Sequence, residues 1–243
     1  MESGRKKYYK DVADSLELLF AAEQKAVVAA FKKGGADAAE KAIMQKEMQL
    51  LLTKVYVEVI DDFGTQLMDQ FKKDAGNDLE TKAPKIPLET VFKVFDKFVQ
   101  KFISSTVAKK VVGISLTTKL KIRGIIKKGE AAGESIDQIA ARIDDLYLKQ
   151  IIPNRSEVIA RTEVIGASNA GNSLAADQTG LKLNKSWLAT RDDRTRDTHN
   201  AMDGETVAKE KPYSNGLMFP GDPTGAAEEV IQCRCTEIYK VRK

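Results

Sequence analysis

PNRSEVIARTEVIGASNAGNSLAADQTGLKLNKSWLATRDDRTRDTHNAMDG, residues 153–204, is the stretch that decides the fold. Its first half keeps apolar residues at helical spacing, opens on Pro153, which suits a first helical turn, and ends at Gly180. There the period breaks. KSWLAT (185–190) reads as a short strand, Arg191–Gly204 as a turn and a short helix carrying His199, and Asp203-Gly204 as a tight turn leading into a hairpin. A helical protein therefore changes character near residue 180.

Upstream of that point every periodic segment is helical. Val12, Leu16, Leu19, Phe20, Val27, Val28 and Phe31 form one stripe, from Tyr8 to about Lys33, ended by Gly34-Gly35. Leu50, Leu51, Val55, Val59, Ile60 and Leu67 predict a second helix from Asp37 to Lys73, stopped by Gly76-Asn77 before a connector holding Pro84 and Pro87. Phe92, Phe95, Phe98 and Phe102 predict a third, with the aromatic stripe as a packing seam. Thr117–Lys128 and Ser135–Leu148 read as a helix pair around GEAAGES, with Gly133 ending one helix and Ser135 capping the next. Downstream, EVIQCRCTEIYKV (229–241) alternates apolar and polar residues and predicts a closing strand. The expected fold class is α+β: a long helical N-terminal region (1–112), then a compact C-terminal domain (113–243) of helices packed on a small antiparallel sheet.

The composition of the 243 residues, 42% hydrophobic and 30% charged, excludes collagen, disordered tails and disulfide-dense mini-proteins. MESGRKKYYKDV has no apolar stretch before a small-residue cleavage site, and no window is apolar enough to span a bilayer, so neither a signal peptide nor a membrane segment is expected. Cysteines in a reducing cytoplasm are expected to stay thiols. The net charge of +4 is unevenly spread: Lys82–Lys128 holds twelve Lys/Arg against two acids. Lys109, Lys110, Lys119, Lys121, Arg123, Lys127 and Lys128 are the candidate DNA contacts, because such a segment attracts phosphate without reading sequence; a solvated helix face explains the same charge.

The motifs lie in the last third. They are ARTEV (160–164), WLATRDDRTRDTHNAMDG (187–204), MFPGDPTGAAEEV (218–230) and CRC (233–235). Together they resemble the phage Mu F-like minor head protein family, also known as the head-morphogenesis family of tailed phages. The matching residues are Arg161, Thr162 and Glu163; Trp187, Asp192, Arg194, Thr195, Arg196, His199, Asp203 and Gly204; Pro220, Gly221, Asp222 and Pro223; and Cys233, Arg234 and Cys235. The resemblance covers about Gly113–Lys243. It implies a structural minor head protein acting with the portal protein in head morphogenesis and in DNA packaging or delivery, with major capsid or scaffold protein as further partners. With no Walker loop, G-x-S-x-G or second histidine, no enzyme is expected, and packaged DNA is a non-specific partner suggested by the charge. Its implied place is the head interior or portal vertex of the virion, and the host cytoplasm during assembly.

His199 is the one histidine, and Cys233 and Cys235 are the two cysteines, so a zincin with two histidine ligands and multiple zinc fingers are excluded. On a strand, the two sulfurs share a face about 6–7 Å apart along the chain. A zinc site of His199, Cys233 and Cys235 with Asp192, Asp193 or Asp203 as fourth ligand is one reading; two thiols packed in a core, with His199 bonded to an Asp, is the other. Arg161 and Glu163, two apart on a helix, are expected to pair separately with the Asp192–Arg196 turn. The competing function classes are an enzyme acting on nucleic acid or nucleotide through Arg161, Glu163, Asp193 and His199, and a cytoplasmic non-specific DNA-binding protein.

Overall fold

A computed structural model describes residues 2–78 and 88–242. The chain order is α1 (Glu2–Lys41), α2 (Gln45–Asp78), α3 (Leu88–Ala131), α4 (Ile136–Leu146), a π-helical segment (Tyr147–Arg155), α5 (Ser156–Gln178), β1 (Leu183–Leu188), α6 (Asp197–Ala201), β2 (Thr206–Ala208), α7 (Ala227–Val230) and β3 (Thr236–Val241). Long helices followed by a three-stranded antiparallel sheet make this an α+β protein. No helix among the described residues is long and apolar enough to cross a membrane.

The described residues group into two compact units. One takes them from Met1–Arg5, Val55–Ser104 and Arg161–Lys243, the other from Lys6–Lys54 and Ser105–Ala160. The boundary at 112/113 follows the reach of the motifs, whereas compactness divides the chain by packing.

The unit built from Lys6–Lys54 and Ser105–Ala160 is helical. Val12, Leu16, Phe20, Val27 and Phe31 of α1 are buried, as their spacing requires. Gly34 and Gly35 leave helical geometry, with Gly35 at φ +68°, and one more helical stretch reaches Lys41. The expected continuous helix from 37 is therefore broken at 42–44. At that break the buried Glu23 carboxylate accepts the Met44 N–H at 2.8 Å through one oxygen and the Tyr147 hydroxyl at 2.8 Å through the other. That acceptor satisfies a backbone donor of the new helix start. The restart buries Met48 and Leu52 and leaves Leu50 exposed, while Val55, Val59 and Ile60 of the expected stripe are buried.

α3 is one helix where two were expected, because single glycines at 113 and 124 do not break it. Gly133, at φ +69°, ends the turn, and Ser135 caps α4 in a box with Gln138. Pro153 does not open a helix. It lies within the π-helical segment that joins α4 to α5, where the wider turn accommodates a residue with no N–H.

In the other unit, α2 continues through Gly76-Asn77 to Asp78. Phe102 packs against Tyr56 and Phe219, with ring centroids 6.4 and 6.5 Å apart. Phe98 is exposed, and the side chains of Phe92 and Phe95 lie outside the described residues, as do Pro84 and Pro87. β1 is the central strand, flanked by β2 and β3, with Lys185 opposite Tyr239 and Trp187 opposite Glu237. Its buried face carries Leu183, Lys185 and Trp187 at period two.

Lys185 is fully buried. It donates to the Met218 carbonyl and lies 4.8 Å over the Tyr213 ring. Nearby, Glu237 accepts from the Tyr213 hydroxyl at 3.0 Å and from the Tyr239 hydroxyl. Burial pushes the Glu237 carboxyl up to about 7, against the lowering effects of Tyr239, Lys185, Tyr213 and Lys209. A raised carboxyl pKa favours the protonated fold. The contribution is complete below about pH 4.5 and lost as pH rises through about 7. Glu237→Gln is expected to remove about 3 kcal/mol of this pH dependence between pH 5 and 8, read as flattened denaturation midpoints against pH. An unchanged slope overturns the assignment.

Candidate metal centre and the signature residues around it

The closing strand is shorter than its alternation predicts, because it begins at Thr236 and leaves Cys233 and Cys235 in the segment before it. Two constraints turn the chain there. Gln232 adopts φ +59°, and its N–H is held by Thr162 Oγ1 at 3.0 Å. Both cysteines then face the short helix α6, with His199 Nδ1 3.7 Å from Cys233 Sγ and 3.5 Å from Cys235 Sγ. The three ligand atoms lie within 4.8 Å of one another, and all three residues are buried. Trp187 packs edge-on against His199 and Tyr213, each at 5.2 Å.

The other imidazole nitrogen, Nε2, is 2.8 Å from Glu229 Oε2. Burial works to lower His199, but its hydrogen bonds with Cys235 and Glu229 outweigh it and raise its pKa. The hydrogen bond with Cys233 holds Cys235 down at about 4 against the opposing effect of burial, and His199 adds to the lowering. The same bond, with burial, pushes the Cys233 thiol well up. One proton is thus shared unequally between two neighbouring sulfurs.

The aspartates proposed as a fourth ligand have other tasks. Asp192 is gripped by both Arg234 guanidinium nitrogens, one at 2.5 Å, and accepts from the Arg194 N–H and Thr195 Oγ1 at 3.1 Å. Arg234 holds that carboxyl well below the usual range. Asp203 accepts from the Ala189 N–H at 3.0 Å and from Arg191 Nε at 2.8 Å, which closes the turn at Gly204. Asp193 is exposed. The expected internal ion-pair network exists, but it links the RDDRTR turn to the CRC arginine.

Arg161 and Glu163 reach different surroundings. Glu163 is buried and accepts the Tyr56 hydroxyl at 2.7 Å, because the helix turns it toward α2. Arg161 instead lines a pocket with Arg194, Arg196, Arg234 and Glu228. The residues proposed for catalysis are thus divided between separate partners: Glu163 engages Tyr56, while His199 engages the thiols and Glu229.

The PGDP loop is folded onto α5. Pro220 O accepts Asn169 Nδ2 at 2.8 Å, and Gly221, at φ +82°, lies so close to Gly166 that a Cβ would sit 3.1 Å from the Gly166 Cα. Only glycine fits both requirements. Asp222 is buried and accepts from the Met218 N–H, the Thr224 N–H and Thr224 Oγ1 at 2.7–2.9 Å, and Pro223 stands between Asp222 and Thr224 in the same tight loop.

The basic candidates lie on α3. Lys109, Lys121, Arg123, Lys127 and Lys128 are exposed, and Lys110 and Lys119 are half-buried. Arg123 forms a two-pronged pair with Glu40, and Lys121 reaches Gln150 at 3.2 Å. Sequence reasoning missed Glu229 as the partner of His199. Its signal was an acidic pair four residues before the first cysteine, unremarkable until the chain turns back at Gln232.

Residues 120–238 match the family described as Phage Mu protein F like protein. Minor head protein GP7 of Bacillus phage SPP1 is 31% identical over 121 residues, 48% of this chain and 39% of GP7. YqbB of Bacillus subtilis (strain 168) is 23% identical over 198 residues, 79% of this chain and 59% of YqbB. NAD(+)--arginine ADP-ribosyltransferase EFV of Enterococcus faecalis (strain ATCC 700802 / V583) is 38% identical over 68 residues, 27% of this chain and 14% of that enzyme. The chain spans less than two thirds of the length of each of these relatives. No solved structure matches it.

Proposed function

The chain belongs to the phage Mu protein F like family through residues 120–238, and on that premise we propose that it is a minor head protein of a tailed phage, built into the virion as a structural component. Its partners on this reading are the portal protein and the major capsid or scaffold protein. Its place is the head interior or portal vertex, after assembly in the host cytoplasm.

The observation that carries the reading is what the signature residues do. Asp192 with Arg234, Asp203 with Ala189 and Arg191, Asp222 with Met218 and Thr224, and Thr162 with Gln232 are engaged in fixing turns and loops. A motif spent in this way specifies a rigid shape. Rigid, non-catalytic shape is what a component copied into a symmetric or vertex assembly needs, and we assign no reaction to it. The exposed basic residues of α3, Lys109, Lys121, Lys127 and Lys128, contact packaged DNA through phosphate.

Co-expression with the portal, scaffold and major capsid proteins of the same genome tests this. The expected result is recovery of the chain in portal-containing particles and co-purification with the portal protein in particle-free extracts. Charge reversal of Lys121, Lys127 and Lys128 is expected to leave incorporation intact while lowering DNA delivery about tenfold. Particles of normal composition that lack the chain overturn the head-protein reading, and unchanged delivery by the charge-reversed protein overturns the DNA contact.

A further inference from the structure

We propose that His199, Cys233 and Cys235 bind a single zinc ion that ties α6 to the segment before β3. The proposal is independent of the head-protein reading, since it rests on the local geometry of one side-chain cluster.

Zinc held at about 2.3 Å by sulfur and about 2.0–2.1 Å by nitrogen in a tetrahedron places each sulfur about 3.6 Å from the nitrogen. The observed Nδ1–Sγ separations are 3.7 and 3.5 Å. Both separations match those that one ion bound to all three atoms would impose.

The imidazole ring is also oriented for a metal. Glu229 Oε2 lies 2.8 Å from Nε2, which assigns the proton to that nitrogen and turns the Nδ1 lone pair toward the sulfurs. A carboxylate behind a ligating histidine is the usual outer-shell support of a metal site. Glu229 is therefore a positioning residue and not a ligand.

Nδ1 accepts one S–H, yet two buried sulfurs face it at nearly equal distance. Hydrogen bonding leaves the two sulfurs and Nδ1 sharing protons unequally, whereas a dication satisfies two thiolates and one neutral imidazole together. Two sulfurs and one imidazole form a soft set suited to zinc, while hard oxygen-seeking ions such as magnesium and calcium find no ligand in it. Asp192 and Asp203 are occupied by Arg234, Arg191 and the Ala189 N–H, so the fourth position falls to water. Zinc binding at neutral pH displaces the thiol protons to solvent, leaving a net neutral metal–dithiolate unit. Charge neutrality suits its apolar surroundings, which include Trp187, Met202 and Leu217.

The test uses the full chain, expressed in zinc-replete medium and purified under reducing conditions without chelator. Elemental analysis is expected to find about one zinc per chain. Cobalt(II) titration of the metal-stripped chain is expected to give sulfur-to-cobalt charge-transfer absorption saturating at one equivalent. Glu229→Gln keeps all three ligands and is expected to weaken zinc affinity about 10–100-fold in competition with a chromophoric chelator. Cys233→Ser with Cys235→Ser is expected to abolish the cobalt–thiolate band. Metal well below one equivalent together with no thiolate band in the wild-type chain overturns the proposal, even where the double variant fails to fold. Zinc retained at full stoichiometry by a folded double variant overturns it as well, since the ion then lies elsewhere.

Discussion

Arg5→Ala is expected to destabilise the protein by about 3–4 kcal/mol, as much as a typical large core truncation. Arg5 is buried, and its guanidinium donates to Ser168 Oγ at 2.7 Å, Asn169 Oδ1 at 2.7 Å and Thr236 Oγ1 at 3.0 Å, while lying 5.7 Å over the Phe63 ring. The same Asn169 donates to the carbonyls of Pro220 and Cys235. One arginine therefore holds the point where α5, the PGDP loop and the start of β3 meet. Its removal takes a charged donor from three buried acceptors at once, leaving the Thr236–Asn169 and Ser168–Ile165 bonds among them, and charge-assisted bonds are the costly ones to lose. Denaturant midpoints measure the loss. Arg5→Lys restores charge but not the planar fork and is expected to recover less than half of it. A loss under about 1 kcal/mol for the alanine variant shows that the network closes without Arg5.

Gly171→Ala carries the second large effect, and its sign is the informative part. By helix propensity alone, alanine in the middle of α5 stabilises by about 1 kcal/mol. At this position a Cβ would stand 2.7 Å from the Ile60 carbonyl oxygen and 3.0 Å from the Ile60 Cα. Both are backbone atoms of α2, so no side chain can swing away. The helices must separate, and the expected result is a net loss of about 3 kcal/mol. A stabilised variant in thermal or denaturant unfolding would mean that α5 and α2 have slack at their crossing.

The helical period of α1 was legible because that helix buries one face, and the stripe of Val12, Leu16, Phe20, Val27 and Phe31 is a local property. The capping box at Ser135 is equally local. Three features were not legible, for a common reason. The break at 42–44 depends on Glu23 and Tyr147, the turn at Gln232 depends on Thr162, and the anchoring of Arg5 depends on residues 163 to 231 positions away. Such partners cannot be read from spacing. Alternation in EVIQCRC predicted strand where the chain forms helix and turn, because Val230 ends α7 and the turn at Gln232 separates it from Cys233 and Cys235, which are buried together against His199 and Trp187 without ladder pairing.

The candidate site was legible to the extent that it depended on scarcity. With one histidine and two cysteines, any soft-ligand cluster had to use His199, Cys233 and Cys235, and the fold does bring them together. The acids were misassigned because Asp192 and Asp203 sit near His199 in sequence, whereas nearby arginines compete for them. Glu229 lies 30 residues from His199, and reaches it only after the loop at 218–225 returns the chain.

The division of residues between the two units also sets an order in time. Lys6–Lys54 and Ser105–Ala160 are all synthesised before residue 161 leaves the ribosome, so the helical unit has its full complement while the other still lacks most of its chain. Arg5 must then wait, solvated, for Ser168 and Asn169, and longer still for Thr236. Contacts of such separation close late and slowly. Nascent chains arrested before Thr236 are thus expected to hold one finished unit and one open, which closes only once β3 is available.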